Sequence, residues 1–457
     1  MQRSVLALAL LGASVGAIKI NFTDDASIKD GASTIAYGLM KYYTGNETGQ
    51  IPGNLPQPYY WWETGALFGT LIDYWAQTGD DAYNAVTEQG LLWQAGDGND
   101  FMPKNQTVSE GNDDEGVWAL AAIAAAESGF PSPPADQPQW LDLAQNVFDN
   151  FVGRWDTEAC GGGLRWQIFT FNAGYDYKNS ASNGVFFDLA AQLYLQTKNS
   201  TYSHWAGEVF EWEQKAGLIG DSYQVFQGVS TEACGSVNKI QSSLDAGIFL
   251  HGSAAMYNAT TSPEWKTRVD GLLKGVQDTF VQDGVFVEAA CEALGTCNTD
   301  MQSYKSFLIR GLKATTELAP YTAETIQPLL LSSAKAAAGA CSGSPSKGFE
   351  GEPGTACGFS WLADNGRAFD GLTGVGEQLN ALSAVISTIS GAAQGDAEGQ
   401  PAPSTGANGT STAGTGTPSG TSGPVRGSVT PGGAGTRIAA NAAAAAVVLG
   451  GVVLGLC

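Results

Sequence analysis

The chain has 457 residues, and its 45 acidic against 22 basic residues give a formal charge of −23 at pH 7. Because nucleic-acid binding needs a basic surface to neutralise phosphates, this composition argues against a nucleic-acid-binding protein. The acidic charge favours solubility and carries no information about the fold.

The N-terminus is typical of a secretory signal peptide. Arg3 is followed by an apolar run at 5–11 and by small residues at 15–17. A basic start, a short apolar run and a small-residue cleavage site define such a signal. A buried first helix is the alternative interpretation, and the run is too short to span a membrane. We expect residues 1–17 to be removed on export.

Residues 18–392 are predicted to form one large all-α domain. Twelve segments carry apolar residues at helical spacing, and Gly, Asn, Asp or Pro often mark the loops between them. Strand signals are limited to short hairpins predicted at 164–171 and 284–287. The predicted helices are 31–43, 59–78, 82–94, 116–128, 138–155, 185–197, 202–216, 244–258, 264–280, 300–317, 319–338 and 367–389.

The C-terminal part of the chain has a different composition. Gly, Ser, Thr, Pro and Ala dominate 393–432, which cannot bury enough apolar surface to fold, so we expect a disordered, O-glycosylated stalk. Residues 433–457 end in an apolar tail that follows small residues, the pattern of a glycosylphosphatidylinositol (GPI) attachment signal. A transmembrane tail anchor is the alternative, but the tail is rich in Ala and Gly and no basic residue follows it. The lipid anchor would be the only membrane attachment.

Seven cysteines are present, and one of them, Cys457, lies in the tail that an anchor signal would remove. The remaining even number is typical of disulfides in an exported protein. Close spacing favours local pairs within 291–297 and 341–357, although six cysteines allow many other connectivities. A zinc site is the competing hypothesis, but the spacings do not fit one. The favoured pairs are Cys160–Cys234, Cys291–Cys297 and Cys341–Cys357.

Six Asn-X-Thr sequons are potential glycosylation sites and predict surface loops in an exported chain. They begin at Asn21, Asn46, Asn105, Asn199, Asn258 and Asn408.

Two adjacent acids, Asp113 and Asp114, stand where the segment 111–118 opens a helix. Neighbouring side chains diverge by about a quarter turn there, yet both can face one cavity. Their carboxyl groups could then lie about 5 Å apart, the separation of the nucleophile and the acid/base in a retaining glycosidase. Capping of the helix N-terminus is the alternative role for these acids.

Aromatic residues cluster beside polar ones, for example at 59–63, 163–166 and 175–177. Aromatic faces stack on the C–H faces of sugars, while neighbouring amides and carboxylates bind the hydroxyl groups. Each tryptophan taken alone is better explained by a place in the core, but their clustering near Gly-rich loops favours a cleft lined by some of them.

Five segments together resemble the fungal branch of glycoside hydrolase family 76, the endo-α-1,6-mannanases, over nearly the whole mature domain. They are YWWETGA at 60–66, NDDEGVW at 112–118, CGGGLRW at 160–166, KNSASNG at 178–184 and GSAAMYN at 252–258.

The resemblance implies a retaining enzyme with an (α/α)₆ toroid of six helical hairpins, a closure that the helix count also favours. Asp113 would then be the nucleophile and Asp114 the acid/base. The family often has an aromatic residue and Asn where this chain has Leu244 and Asp245. The resemblance therefore does not predict whether these two residues contact a sugar. The residues expected in the cleft wall are Asn112, Trp62, Trp166, Asn183 and Asp245.

The function expected from this resemblance is a mannan endo-1,6-α-mannosidase or mannosyl transglycosylase of fungal cell-wall assembly. Its donor would be α-1,6-mannan or a GPI-core glycan, its acceptor β-glucan, and its location the plasma membrane or wall. A monomer without cofactor or metal is expected. The alternatives are an inactive glycan-binding wall mannoprotein and an inverting glycosidase that uses Asp245 as a more distant second acid.

Overall fold

The structure, a computed structural model, describes residues 17–363 and 366–390. In this part of the chain it contains twelve α-helices, one for each predicted helix, so the prediction of a mostly helical domain is confirmed. The helices are α1 (Asp25–Met40), α2 (Trp61–Thr78), α3 (Asn84–Gln94), α4 (Asn112–Ser128), α5 (Trp140–Arg154), α6 (Ser180–Thr197), α7 (Ser200–Lys215), α8 (Ser243–Thr260), α9 (Pro263–Phe280), α10 (Tyr304–Leu318), α11 (Ala323–Ala340) and α12 (Val375–Ile386).

The predicted and observed helix boundaries differ most at the N-termini of the helices. Helix α4 begins at Asn112 where periodicity predicts 116, and α6 begins at Ser180 where it predicts 185. The first turns of both helices consist of polar and small residues, which carry no apolar periodicity. These are the turns that the functional site uses.

The even-numbered helices pack against one another in a cycle. Helix α2 contacts α4, α4 contacts α6, and so on through α8, α10 and α12, which contacts α2. The odd-numbered helices each pack against one or two members of this cycle. We call the even-numbered helices inner and the odd-numbered helices outer.

The sequences of the helices fit these positions. The inner helices α4, α6 and α8 are buried on nearly all sides and have no polar stripe. The outer helices α5 and α9 bury one face and present charged residues on the other. A helix surrounded by other helices is expected to be apolar all round, whereas a surface helix is amphipathic.

Helices α8 and α10 approach each other at glycines. A Cβ atom on Gly311 would lie 2.4 Å from the carbonyl oxygen of Gly247, and a Cβ on Gly247 would lie 2.6 Å from the Cα of Leu308. No side chain can be accommodated at these distances without moving a backbone. This contact therefore fixes the spacing of two inner helices.

Short antiparallel strands connect some helices. Strands β1 (Tyr177–Asn179), β2 (Gly228–Ser230) and β3 (Val237–Asn238) form one sheet, β4 (Val281–Gln282) and β5 (Val285–Phe286) a hairpin, and β6 (Cys341–Gly343) pairs with β7 (Ala356–Cys357). The predicted hairpin at 284–287 corresponds to β4–β5. The one predicted at 164–171 is wrong, because this segment contributes only an isolated bridge between Gln167 and Gly111.

Three disulfides join Cys160 to Cys234, Cys291 to Cys297 and Cys341 to Cys357, the pairs that the sequence favours. The sequon asparagines at 21, 46, 105, 199 and 258 are exposed. Asn408, Cys457, the stalk, the anchor signal and nearly all of the signal peptide lie outside the described residues.

We predict that Gly311→Ala lowers the free energy of unfolding by about 1–3 kcal/mol, because the added methyl group overpacks the contact of α8 with α10. Gly207→Ala is the matched control. A Cβ on Gly207, within α7, meets no atom within 4 Å, so alanine should stabilise that helix by about 0.5–1 kcal/mol. Urea unfolding with the disulfides intact measures both changes. Equal effects of the two substitutions would contradict the proposed contact.

Candidate active site

The first turns of the inner helices meet at one end of the helix cycle. Asn179, the N-cap of α6, donates to Asp113 on α4 at 3.0 Å. Trp62 on α2 donates to Asp300, just before α10, also at 3.0 Å. The backbone N–H of Val375, at the start of α12, donates to the Tyr59 hydroxyl before α2 at 3.2 Å. These contacts gather polar side chains of several helices around the N-terminus of α4.

The two adjacent aspartates cap α4 and also face this site. Gly111 is the N-cap residue, and its N–H donates to Asp114 Oδ2 at 2.8 Å. The N–H of Asp114 donates to Asp113 Oδ1 at 3.1 Å. A Cβ on Gly111 would lie 2.4 Å from Asp113 Oδ1. Both carboxyl groups therefore lie against Gly111. Asp114 caps the helix, as the alternative interpretation expected, and this role is compatible with a chemical one.

The two carboxyl groups differ in their ability to hold a negative charge. Burial raises the pKa of Asp113 to about 6, although hydrogen bonds from the Asn179 amide and a backbone N–H lower it. Burial and the charge of Asp113 raise the pKa of Asp114 well above its usual value, and only the Gly111 N–H opposes this. Of the two carboxyl groups, Asp113 is therefore the more readily ionised, and Asp114 holds its proton more tightly.

Two further acids surround this pair. Burial and the charge of Asp113 raise the pKa of Asp245, on the first turn of α8, to about 7. Its Oδ1 atom is buried and has no hydrogen-bond partner among the described residues. Burial also raises the pKa of Asp300, and the charge of Asp300 raises the pKa of both aspartates of the pair. The site therefore has a negative electrostatic potential.

The two tryptophans expected in the cleft wall occupy different positions. Trp62 is buried, with its ring against those of Tyr304 and Phe307 and its N–H on Asp300. Trp166 is 37% exposed, and its ring carbon Cδ1 would lie 3.3 Å from a Cβ on Gly111. Trp166 is thus an exposed aromatic surface next to the acid pair, whereas Trp62 orients an acid.

Asn112 and Asn183, also expected in the cleft wall, are buried and hydrogen-bonded to the protein. Asn112 donates to the carbonyl of Arg165 at 2.8 Å and accepts from Arg154 at 2.9 Å. Asn183 accepts from the N–H of Leu164 at 2.7 Å and donates to its carbonyl at 3.1 Å. Both amides attach the loop that carries Trp166 to the inner helices.

A buried lysine binds the same loop through its backbone carbonyl groups. Lys178 is fully buried, and its Nζ donates to the carbonyls of Asp156, Ala159 and Gly162 at 2.6–2.8 Å. Burial lowers its pKa, while the carboxylate of Asp156 at 3.2 Å favours the charged form. The Gly-rich loop is therefore folded around one ammonium group. This group belongs to Lys178, the residue that precedes Asn179 in the sequence.

The sequence did not single out Asn179 or Asp300 as site residues. Asn179 stands in the KNSASNG segment, where an Asn before a helix is explained by capping alone. Asn179 and its partner Asp113 are 66 residues apart in the sequence, and Asp300 and its partner Trp62 are 238 residues apart. Only the helix arrangement brings these residues together.

The comparisons with known proteins agree with this geometry. The sequence profile of glycosyl hydrolase family 76 matches residues 27–398. The chain belongs to this family. The identification of the family from the sequence is thus confirmed, and the chain is a glycoside hydrolase.

Curated relatives match the chain over most of their length. Mannan endo-1,6-alpha-mannosidase DCW1 from Saccharomyces cerevisiae is 44% identical over 403 residues, which cover 88% of this chain and 86% of the relative. Mannan endo-1,6-alpha-mannosidase DFG5 from the same organism is 40% identical over 373 residues, with coverages of 81% and 79%.

Solved structures are also similar. The crystal structure of Dfg5 from Chaetomium thermophilum in complex with glucosamine has a TM-score of 0.77 and 43% identity, covering 81% of this chain and 92% of that one. An inactive variant of the α-1,6-mannanase of Salegentibacter sp., with two consecutive aspartates replaced by asparagine, was solved with α-1,6-mannotriose. It has a TM-score of 0.63, 15% identity and coverages of 80% and 99%, and shows the shared fold alone.

We predict that Asn179→Ala raises the pKa of Asp113 above its value of about 6, because the amide hydrogen bond that favours the ionised carboxylate is lost. The ¹³C signal of the Asp113 carboxyl group, followed by NMR against pH, measures the change. Asn146→Ala, on outer helix α5, is the control. It removes an amide hydrogen bond to the backbone carbonyl of Asn99 and should leave the pKa of Asp113 unchanged.

Proposed function

We propose that this glycoside hydrolase cleaves α-1,6-mannosidic bonds with retention of configuration, with Asp113 as nucleophile and Asp114 as acid/base. The observation that carries the proposal is the unequal hydrogen bonding of the pair, in which Asp113 accepts from the Asn179 amide and a backbone N–H, and Asp114 accepts from the Gly111 N–H. A retaining enzyme needs one ionised and one protonated carboxyl group, usually about 5–5.5 Å apart. The pKa of Asp114 is raised more than that of Asp113. Both carboxyl groups lie against the same residue, Gly111.

The reaction proceeds in two displacements. An Asp113 oxygen attacks the anomeric carbon while Asp114 gives its proton to the glycosidic oxygen, and the C–O bond to the leaving sugar breaks. The mannosyl group is then an ester of Asp113. In the second step Asp114, now ionised, takes a proton from water or from a sugar hydroxyl group, whose oxygen attacks the anomeric carbon and releases Asp113.

The fold and the neighbouring side chains support this mechanism. The cycle of inner-helix contacts, with the outer helices packed against its members, is the arrangement expected of an (α/α)₆ toroid. Such a closed ring would place the acid pair at the mouth of a central funnel. Trp166 would stack on one sugar of the bound glycan, and Asp245 and Asp300 would bind hydroxyl groups or a cationic group of the substrate.

The proposed donor is α-1,6-mannan or the glycan core of a GPI anchor, and the proposed acceptor is wall β-glucan. The names of the relatives DCW1 and DFG5 support an α-1,6-mannoside. The glucosamine bound by the related Dfg5 supports an amino-sugar-containing donor. An acidic cleft suits neutral or cationic glycans and disfavours anionic ones.

Action at the fungal plasma membrane or wall, with a lipid anchor and as a monomer, is also a proposal. The disulfides and the exposed sequon asparagines support export. Among the described residues, no helix has the length and apolar character needed to cross a membrane.

An inverting reaction with Asp245 as the second acid is the competing mechanism, since Asp245 has a pKa near neutrality and faces Asp113. The two mechanisms differ in the anomer released first. NMR of the fresh hydrolysis product should show the α-anomer. Initial release of the β-anomer would overturn the assignment of Asp113 as nucleophile.

We predict that Asp113→Asn and Asp114→Asn each lower kcat on α-1,6-mannooligosaccharides by at least about 10³-fold. Asp142→Asn is the matched control, because Asp142 is also an acid in a helix first turn, on α5. Asp142→Asn removes a negative charge that interacts favourably with a helix dipole, but it leaves the acid pair unchanged. Free sugar and extended glycan are quantified with and without an acceptor.

If the unmodified protein binds these glycans without turning them over, the glycan-binding alternative is favoured. If both variants retain activity, the acid pair serves only as a helix cap.

We predict that kcat/KM falls as the pH decreases through about 6, because Asp113 must be ionised to attack. It also falls at high pH, once Asp114 loses the proton that it must donate, and this limb lies above the acid one because the pKa of Asp114 is the higher of the two. A pH–rate profile measures both limbs. Activity that increases continuously below pH 5 would contradict the assignment.

A further inference from the structure

The loop that begins at Trp166 carries a second exposed aromatic surface. It comprises residues 166–177, which lead from the Gly-rich loop into strand β1, and we call it the aromatic loop. Phe171 in this loop is 73% exposed, twice as much as Trp166 at 37%. A single exposed apolar residue needs no explanation, whereas several on one loop mark a binding surface. The aromatic residues of the loop are Trp166, Phe169, Phe171, Tyr175 and Tyr177.

The backbone of the aromatic loop is attached to the segment that carries the acid pair. The N–H of Asn112 donates to the carbonyl of Trp166 at 2.9 Å, and the N–H of Ile168 donates to the carbonyl of Glu110 at 3.4 Å. Phe171 follows Trp166 by five residues. The Cα atoms of these two residues are therefore at most about 18 Å apart, a distance that a few linked sugars span.

Hydrogen bonds close the aromatic loop into a defined shape. The N–H of Trp166 donates to the carbonyl of Tyr177 at 2.7 Å and joins the two ends of the loop. The N–H of Asn172 donates to the carbonyl of Phe169 at 3.0 Å and forms a turn at the tip. The Asn172 amide also donates to the side chain of Gln167 at 3.0 Å. A loop held in this way loses little conformational freedom when a ligand binds.

The Phe171 ring is supported from one side only. It stacks on the ring of Phe169, with 5.4 Å between the ring centroids and 14° between the ring planes. Phe169 itself is only partly exposed. The inner ring therefore holds the outer one in place, and the opposite face of Phe171 is free for a ligand.

The composition of the aromatic loop favours a neutral glycan as the ligand. Its hydrogen-bonding side chains Gln167, Thr170 and Asn172 are uncharged, and Asp176 is its one charged residue. A loop without a basic residue does not attract an anionic membrane surface or a nucleic acid. A sugar offers C–H faces to the aromatic rings and hydroxyl groups to the amides, so it matches both kinds of side chain.

We propose that Phe171 is a second sugar-stacking position for the glycan substrate, farther from the cleaved bond than the sugar that contacts Trp166. Phe169 holds the Phe171 ring in the orientation that stacking needs. The aromatic loop thereby makes the enzyme select long neutral glycan chains over short ones. This inference rests on the proposed glycosidase function, because it adds a binding position for the same substrate.

The dependence of kcat/KM on substrate length tests the proposal, with α-1,6-mannooligosaccharides of increasing length as substrates. Phe171→Leu should lower the ratio of kcat/KM on long to that on short substrates by roughly 3- to 10-fold, because the stacked sugar is lost only from the long ones. The change should lie mainly in KM, since a remote sugar is bound alike in the ground state and the transition state. The ratio does not depend on the fraction of the protein that is folded.

Two further variants separate stacking from a general apolar contact. Phe171→Tyr keeps the flat ring and adds a hydroxyl group, so it should change the ratio by no more than about twofold. Phe171→Leu, in contrast, keeps the apolar character and removes the ring. Tyr321→Ala is the matched control, because Tyr321 is 41% exposed and follows the C-terminal end of α10, away from the acid pair. It should leave the ratio unchanged.

Calorimetric titration of the same oligosaccharides into Asp113→Asn measures binding without turnover. If the unmodified protein cleaves α-1,6-mannosides and Phe171→Leu keeps the ratio, or Phe171→Tyr lowers it equally, the stacking position is overturned and the glycosidase function stands. If there is no turnover, but affinity increases with chain length and the added Phe171→Leu abolishes this increase, the stacking position stands and the proposed reaction is overturned. A protein that neither cleaves nor binds these glycans overturns both.

Discussion

The hydrogen bond from the Asn179 amide to Asp113 is the interaction on which the proposed chemistry depends. Two adjacent carboxyl groups at one helix N-terminus experience similar burial and the same helix dipole, and without a local difference they would titrate alike. Asp113 receives the Asn179 amide and a backbone N–H, whereas Asp114 receives one N–H from Gly111. The negative charge that settles on Asp113 then raises the pKa of Asp114 further. One side-chain amide thereby assigns different roles to two chemically identical neighbours.

The fold provides this hydrogen bond by bringing helix N-termini together. Asn179 caps α6 while it reaches Asp113 on α4, so one residue both begins a helix and orients the proposed nucleophile. The loop that carries Trp166 is held at the same place by Asn183 and by the buried ammonium group of Lys178. The N-termini that meet at the acid pair are the positive ends of the helix dipoles.

The sequence predicted the helices well, because long amphipathic or wholly apolar segments have a clear period. It failed at 164–171, where a loop held by side-chain amides and a buried lysine resembles a strand in composition. The acid pair could be found from the sequence because both residues are adjacent. Asn179 and Asp300 could not, since their partners are 66 and 238 residues away. Asn112 and Asn183 look like sugar-binding amides in the sequence, but their hydrogen bonds are made with the protein.

The most direct test of the account is to trap the covalent intermediate. The unmodified protein is incubated with an activated 2-deoxy-2-fluoro-α-mannoside, which slows both steps, and is then digested and analysed by mass spectrometry. We predict one fluoromannosyl group per chain, attached to Asp113 in the peptide that contains 112–118. A label on Asp114 or Asp245, or no label from a protein that cleaves α-1,6-mannosides, would contradict the division of roles that the Asn179 hydrogen bond sets.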